Sequence, residues 1–198
     1  MKEVSMTRTL FFLAFTLSAM WMLSSGASAQ QPVNRQAQSM VDFRHRIDDY
    51  LELRREITRK VPEVKETGDP AKISSREKAL GTAIASARKT AMPGDVFGAE
   101  MSVYLKKTLA DDWRSRSAAD RKAIFSELPK GIQLRINQPY PTTLPLVSVP
   151  AKLLAVLPML PEELEYRFID RYFLLRDRDA NLVIDILPGV LPQRTTGE

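Results

Sequence analysis

The chain has 198 residues, with 29 Lys and Arg against 24 Asp and Glu, a net charge of +5, one His and no Cys. Without cysteine it can form no disulfide, thiolate metal site, cysteine nucleophile or lipidated N-terminal cysteine, and one histidine leaves structural zinc without a ligand set. The small positive excess, spread among interspersed acids, fits a solvated mixed surface better than a nucleic-acid interface.

Residues 1–29 carry the three parts of an export signal in order. Lys2 and Arg8 form a short basic start, weakened by Glu3, and Leu10–Leu23 contains no charged residue. Small residues follow from Ser24 and end in Ala27-Ser28-Ala29, which predicts cleavage between Ala29 and Gln30. Met6 is an alternative start that removes Glu3. A retained anchor is disfavoured, since a helix of about 14 residues spans roughly 21 Å against a hydrocarbon core of roughly 30 Å. The expected product is a soluble periplasmic or secreted protein with no membrane anchor. The signal holds two cations and one anion, so the remainder keeps a net charge of +4.

Residues 30–38 are polar and contain Pro32, and are expected to be a flexible lead-in. From Ser39 to Val61, Met40, Phe43, Ile47, Tyr50, Leu51, Ile57 and Val61 recur at helical spacing. The charged residues between them, including Arg44, Arg46, Arg54, Arg55 and Arg59, are expected to form a solvated face. Asp42 with Arg46 and Glu56 with Lys60 stand at i,i+4. Pro62 ends this helix, and Asp69-Pro70 has the form of an N-cap and first-turn proline. The second helix is predicted to reach Ala91, with Ile73, Leu80, Ile84, Ala87 and Ala91 on one stripe. Ala79, Ala83 and Ala87 would let a neighbouring helix approach.

Pro93-Gly94 breaks the chain before a third helix over Ala99–Trp113, with Met101, Tyr104, Leu105, Thr108 and Leu109 inward. Ser117-Ala118-Ala119-Asp120 is a helix-start signal for a short fourth helix containing Ile124, Phe125 and Leu128, closed by Pro129-Lys130-Gly131. Ile132, Leu134 and Ile136 then alternate with polar residues at the period of a strand. Prolines at 139, 141, 145, 150, 158 and 161 leave room for one or two helical turns over Ala151–Leu157, and the segment is expected to pack inward through Leu144, Leu146, Val147, Leu153, Leu154 and Leu157. Leu164, Tyr166 and Phe168 alternate, 169–171 turns, Tyr172–Arg176 is extended, Asp177–Asn181 turns, and Leu182–Leu187 is β-branched and apolar. These make two linked hairpins in a meander of three strands.

His45 lies between Arg44 and Arg46 on the first helix and has no Gly-x-Ser-x-Gly partner motif, so it is expected to be an ordinary helix residue. Asp177, Asp179 and Asn181 place oxygen ligands at alternate positions, as a calcium loop begins. Leu182 and Pro188 occupy the places of the glycine and the bidentate glutamate, so an Asx-bonded hairpin turn is preferred over weak divalent-cation binding. Glycoside hydrolysis needs two acids facing across a cleft. Glu162, Glu163 and Glu165 cluster, Glu162 and Glu163 are expected to face water, and a pair would use an acid such as Glu165 or Asp177, with no partner fixed by the sequence. No cofactor is expected, since no Gly-rich phosphate loop is present.

The run Pro158-Met159-Leu160-Pro161-Glu162-Glu163-Leu164-Glu165-Tyr166-Arg167-Phe168, followed by Leu174-Leu175-Arg176-Asp177 and Ala180-Asn181-Leu182-Val183-Ile184-Asp185, resembles the C-terminal signature of an uncharacterised family of exported bacterial proteins. Pro93-Gly94-Asp95-Val96-Phe97 is similar to the same family, so the resemblance covers nearly all of the exported chain. It implies a bacterial cell-envelope setting and supplies no activity. The last hairpin is also similar to the C-terminal module of periplasmic nickel/cobalt-homeostasis proteins. Those usually carry glycine at the second turn, where Ala180-Asn181 stands here, and no metal residues are carried over.

The expected fold is α+β: three to four N-terminal helices packed on a small C-terminal antiparallel meander. Residues 39–192 form a single domain, with a helical part at 39–128 and a proline-rich and β part at 132–187, and 193–198 are a tail. The expected function is a non-catalytic periplasmic binding or accessory protein. An envelope hydrolase using paired carboxylates is the alternative. The expected partner is an envelope protein or an anionic envelope polymer, with no nucleic acid.

Overall fold

The computed structural model describes residues 34–62, 69–128, 132–141, 143, 149 and 151–191, all within one compact unit. The export signal, the 63–68 linker, Pro129–Gly131, Leu144, Leu146, Val147 and Pro150 lie outside the described residues. The fold is α+β. Helices α1 (Arg35–Thr58), α2 (Pro70–Ala87), α3 (Ala99–Ser115) and α4 (Ala118–Glu127) precede a short α5 (Ala151–Leu154). Strands β1 (Leu164–Ile169), β2 (Tyr172–Asp177) and β3 (Leu182–Pro188) then form an antiparallel sheet in the order β1-β2-β3.

α1 begins inside the expected lead-in because Asn34 caps it, its side chain accepting from the Gln36 and Ala37 amides at 3.2 and 3.3 Å. Its buried stripe is Ser39, Phe43, Ile47, Tyr50, Arg54 and Ile57, one residue per turn along a single face. α1 packs against both α2 and α3. Asp42 takes its hydrogen bond from Gln38 Nε2 at 2.8 Å, one turn earlier in the helix. Asp69 and Ser117 cap α2 and α4 as the sequence predicts, accepting from the Ala71 and Asp120 amides.

α2 ends at Ala87 rather than Ala91, because Arg88 leaves the helical conformation and gives its carbonyl to Asn137 Nδ2 at 2.6 Å. Of the small residues expected to admit a neighbouring helix, Ala83 is half-buried against the main core. Ile73, Ala79 and Ala87 are exposed, while Leu80, Gly81 and Ile84 are buried. Gly81 makes the close approach, to the sheet rather than to a helix: a Cβ there would lie 2.8 Å from the Ala180 carbonyl oxygen.

The two faces of the sheet are both covered. Leu164, Tyr166, Phe168, Phe173, Leu175, Leu182, Ile184 and Leu187 join the helices in the main core. Phe97 links Phe43 of α1 to Phe173 of β2, with ring centroids 6.0 Å apart on each side, and Tyr166 and Phe168 stack around Phe173 at 5.0 and 5.1 Å. On the opposite face Ile169, Leu174, Val183 and Ile186 pack with Tyr140 and the half-buried Ile132, Leu134 and Ile136. The alternation over 132–136 therefore marks a covering strap, and no ladder forms along it. The strap touches β3 at its end, where the Asn137 and Tyr140 amides donate to the Val183 and Asn181 carbonyls at 2.9 and 2.8 Å. Pro139 forms an isolated bridge with Leu182 but has no N–H to continue pairing.

Candidate functional site

A register shift in β3 decides which way its acid points. Leu175 pairs with Asp185 and Arg176 with Val183, leaving Ile184 as a bulged residue. The bulge lets the adjacent Ile184 and Asp185 both turn toward the helices, the side to which Asp177 also points. Asp177 and Asp185 are both 0% exposed, and each is satisfied in a different way.

Asp177 meets α1. Its Oδ2 accepts from the Tyr50 hydroxyl and from Arg54 Nε, both at 2.7 Å, and its Oδ1 accepts from the Ala180 amide at 2.9 Å. Arg54 Nη2 also reaches Asp179, which lies at the wet end of the pair with a side chain 58% exposed. Arg54 is 8% exposed, so it is a member of the buried stripe and not of the solvated face expected for it. Its place in the sequence carried the signal: 43, 47, 50, 54 and 57 are one continuous helical stripe. Burial, then the neighbouring Asp177, pushes the Tyr50 hydroxyl well above its ordinary range. The Tyr50 ring in turn carries the Arg88 guanidinium at 5.4 Å.

The three candidate metal ligands do not converge. Asp177 and Asp179 share the Arg54 guanidinium, which stands where a divalent cation would have to sit. Asn181 bonds elsewhere: its Oδ1 accepts from Arg176 Nε and Nη2 at 3.1 and 2.7 Å, and its Nδ2 donates to the Tyr140 carbonyl at 3.1 Å. The preferred Asx-bonded turn is what forms, through the Asp177 to Ala180 bond. Asn181 has φ 47°, a left-handed conformation that asparagine tolerates and glycine would also adopt. No group of three or more His, Cys, Asp or Glu side chains suited to a metal occurs among the described residues.

Glu165 and Asp177 do not face each other. They lie on opposite faces of the sheet, because Glu165 pairs with Arg176 and Asp177 with Leu164. The Glu165 carboxylate is held by Arg167, with Nε at 2.9 Å, and by Arg176. Arg176 also lies 5.3 Å from the Tyr140 ring centroid. His45 is an exposed residue of α1.

Asp185 lies within strand β3, and its neighbours in the sequence carry no sign of the partners it meets there. Its Oδ1 accepts from the Gly94 and Ile186 amides at 2.7 Å each, and its Oδ2 from Val96 and Phe97 at 2.8 and 2.7 Å. Burial pushes its carboxyl above the ordinary carboxylate range, and the four N–H donors pull the other way. Asp185 thereby clamps the 94–97 loop onto the sheet and delivers Phe97 into the aromatic core.

One surface stands out. Leu153 and Leu157 pack inward as expected, but Leu154 points the other way, and Leu154, Val156 and Met159 are 49%, 50% and 95% exposed within six residues of chain. Their backbone is pinned: the Tyr104 hydroxyl donates to the Val156 carbonyl at 3.1 Å and the Tyr166 hydroxyl to the Pro158 carbonyl at 3.0 Å. A shallow cleft of about 350 Å³ lies beside them, lined by Leu154, Met159, Leu160 and Tyr166 among others.

The chain matches no protein-family model, no curated protein and no solved structure.

Proposed function

We propose that the chain is exported and acts as a non-catalytic binding or accessory protein of the bacterial cell envelope, offering the 154–159 edge to a protein partner. The observation that carries this reading is the exposure of Leu154, Val156 and Met159 on backbone that two tyrosine hydroxyls hold in place. Single exposed apolar residues are ordinary, but a held apolar run beside a cleft is the form of a contact surface. The export pattern of residues 1–29 and the resemblance of the C-terminal segment support the envelope address. The pairing of Glu165 and Asp177 with arginines favours binding over acid-base chemistry.

The test has two arms. Expression of the full chain in a bacterial host should give a soluble product outside the cytoplasm that begins at Gln30, and an uncut cytoplasmic product would overturn the address. A photo-crosslinking side chain at Met159 should then give a discrete protein adduct, with none from a control at Ile73, itself 53% exposed on α2. Equal labelling from both positions, or none from Met159, would remove the contact surface.

A further inference from the structure

A groove of about 790 Å³ runs between α2 and the 136–141 strap, over the Ala180–Leu182 turn. Its depth depends on Gly81, whose missing side chain leaves α2 resting on the Ala180 carbonyl. One wall is polar and regular: Ser74, Lys78, Thr82 and Ser86 stand at i,i+4 intervals and are all exposed. Lys89 lies in the turn just past the end of α2, more than two helical turns from Lys78 along the chain. Neither lysine joins an ion pair among the described residues, and Glu77 is the one carboxylate on the lining.

The opposite wall decides against a peptide that adds as a strand. An extended peptide would need free backbone groups to pair with. The Asn137 and Tyr140 amides are already spent on β3, and Pro139 and Pro141 have no N–H. What remains is the exposed amide of Gln138, the hydroxyls of α2, of which Ser86 already donates to the Thr82 carbonyl at 2.8 Å and is left as an acceptor, and two separated cations. Those groups suit a polyhydroxylated chain that carries negative charges at intervals.

We propose that this groove binds a linear anionic glycan, bearing carboxylate or phosphate groups, with Lys78 and Lys89 on its charges and the Ser74, Thr82 and Ser86 hydroxyls on its own hydroxyls. The inference rests on the binding-protein reading but on a different face from the 154–159 edge. The site is a permanent feature of the fold, since its floor is the packing of α2 on the last hairpin.

Calorimetric titration of the exported chain at low ionic strength tests it, with hexagalacturonate, a phosphodiester-linked glycan, neutral maltohexaose and hexaglutamate as probes. At least one anionic glycan should bind and maltohexaose should not, and the two anionic arms separate carboxylate from phosphate recognition. Lys78→Gln with Lys89→Gln should weaken binding about tenfold, as the loss of two partly solvated ion pairs implies, without changing the melting temperature. Hexaglutamate binding as tightly as the glycans would overturn the proposal. So would undiminished binding by the double variant, or no binding of either anionic glycan. A Met159 crosslink that persists alongside failed glycan binding would sink the groove and leave the contact surface standing.

Discussion

Arg54 carries a full charge into the stripe that packs α1 on the sheet, and its cost is offset by Asp177 and Tyr50. Removing the cation leaves a fully buried carboxylate with one hydroxyl and one amide. Arg54→Met is expected to lower stability by about 3–5 kcal/mol in urea unfolding. Adding Asp177→Leu to it should recover most of that loss, because the orphaned charge goes with it. Asp179→Ala, at the wet end of the same pair, should cost less than about 1 kcal/mol. A double variant no more stable than Arg54→Met would show that packing, not charge, is what Arg54 supplies. Asp185 makes a sharper case. Asparagine there offers one acceptor oxygen and turns an NH2 toward two amides, so Asp185→Asn should cost about 2–4 kcal/mol. Hydrogen exchange at the Val96 and Phe97 amides should accelerate with it, and unchanged exchange there would detach the loop from the acid.

At the scale of elements, Gly81 sits in the middle of α2, where helix propensity alone favours alanine by about 1 kcal/mol. The Ala180 carbonyl lies 2.8 Å from the position of the added Cβ, and it is backbone in a tight turn that cannot swing aside. Gly81→Ala is therefore expected to destabilise by about 1–3 kcal/mol, reversing the sign that propensity predicts. A thermal melt showing a more stable variant would mean that the hairpin turn yields. The same contact explains what was legible in the sequence and what was not. Caps, breaks and periodicity are local, so Asp69, Ser117, the α3 stripe and all three strands could be read from neighbours in the chain. Gly81 against Ala180, Arg54 against Asp177 and Asp185 against Gly94 join residues about a hundred positions apart, and a linear pattern carries no trace of such pairs. The strap lies between these cases. Its alternation over 132–136 correctly separated inside from outside, but alternation cannot tell a ladder strand from an extended cover.

On the scale of the whole molecule, three tyrosines join the layers. The Tyr50 hydroxyl bonds α1 to β2, the Tyr166 hydroxyl bonds β1 to the 154–159 edge, and Tyr140 lies between the strap and the sheet. Burial raises the hydroxyl of each; Asp177 adds to the effect at Tyr50, while Arg167 and Arg176 offset part of it at Tyr140. A raised pKa in the fold means that the folded state keeps these protons while the unfolded chain releases them from about pH 10. Their contribution is thus complete below about pH 10 and is lost as pH rises beyond it. With Tyr50 and Tyr166 both protonated in the fold, stability should fall by about 3 kcal/mol per pH unit once the unfolded tyrosines ionise. Urea midpoints compared at about pH 9 and about pH 11 measure the slope. Ultraviolet phenolate absorbance supplies the independent check. Of the five tyrosines, Tyr50 and Tyr166 should stay silent through the ordinary tyrosine range and ionise only when the far-ultraviolet helical signal collapses. A smooth titration of all five with the helices intact would mean that neither hydroxyl is sealed inside the layers it is placed to join.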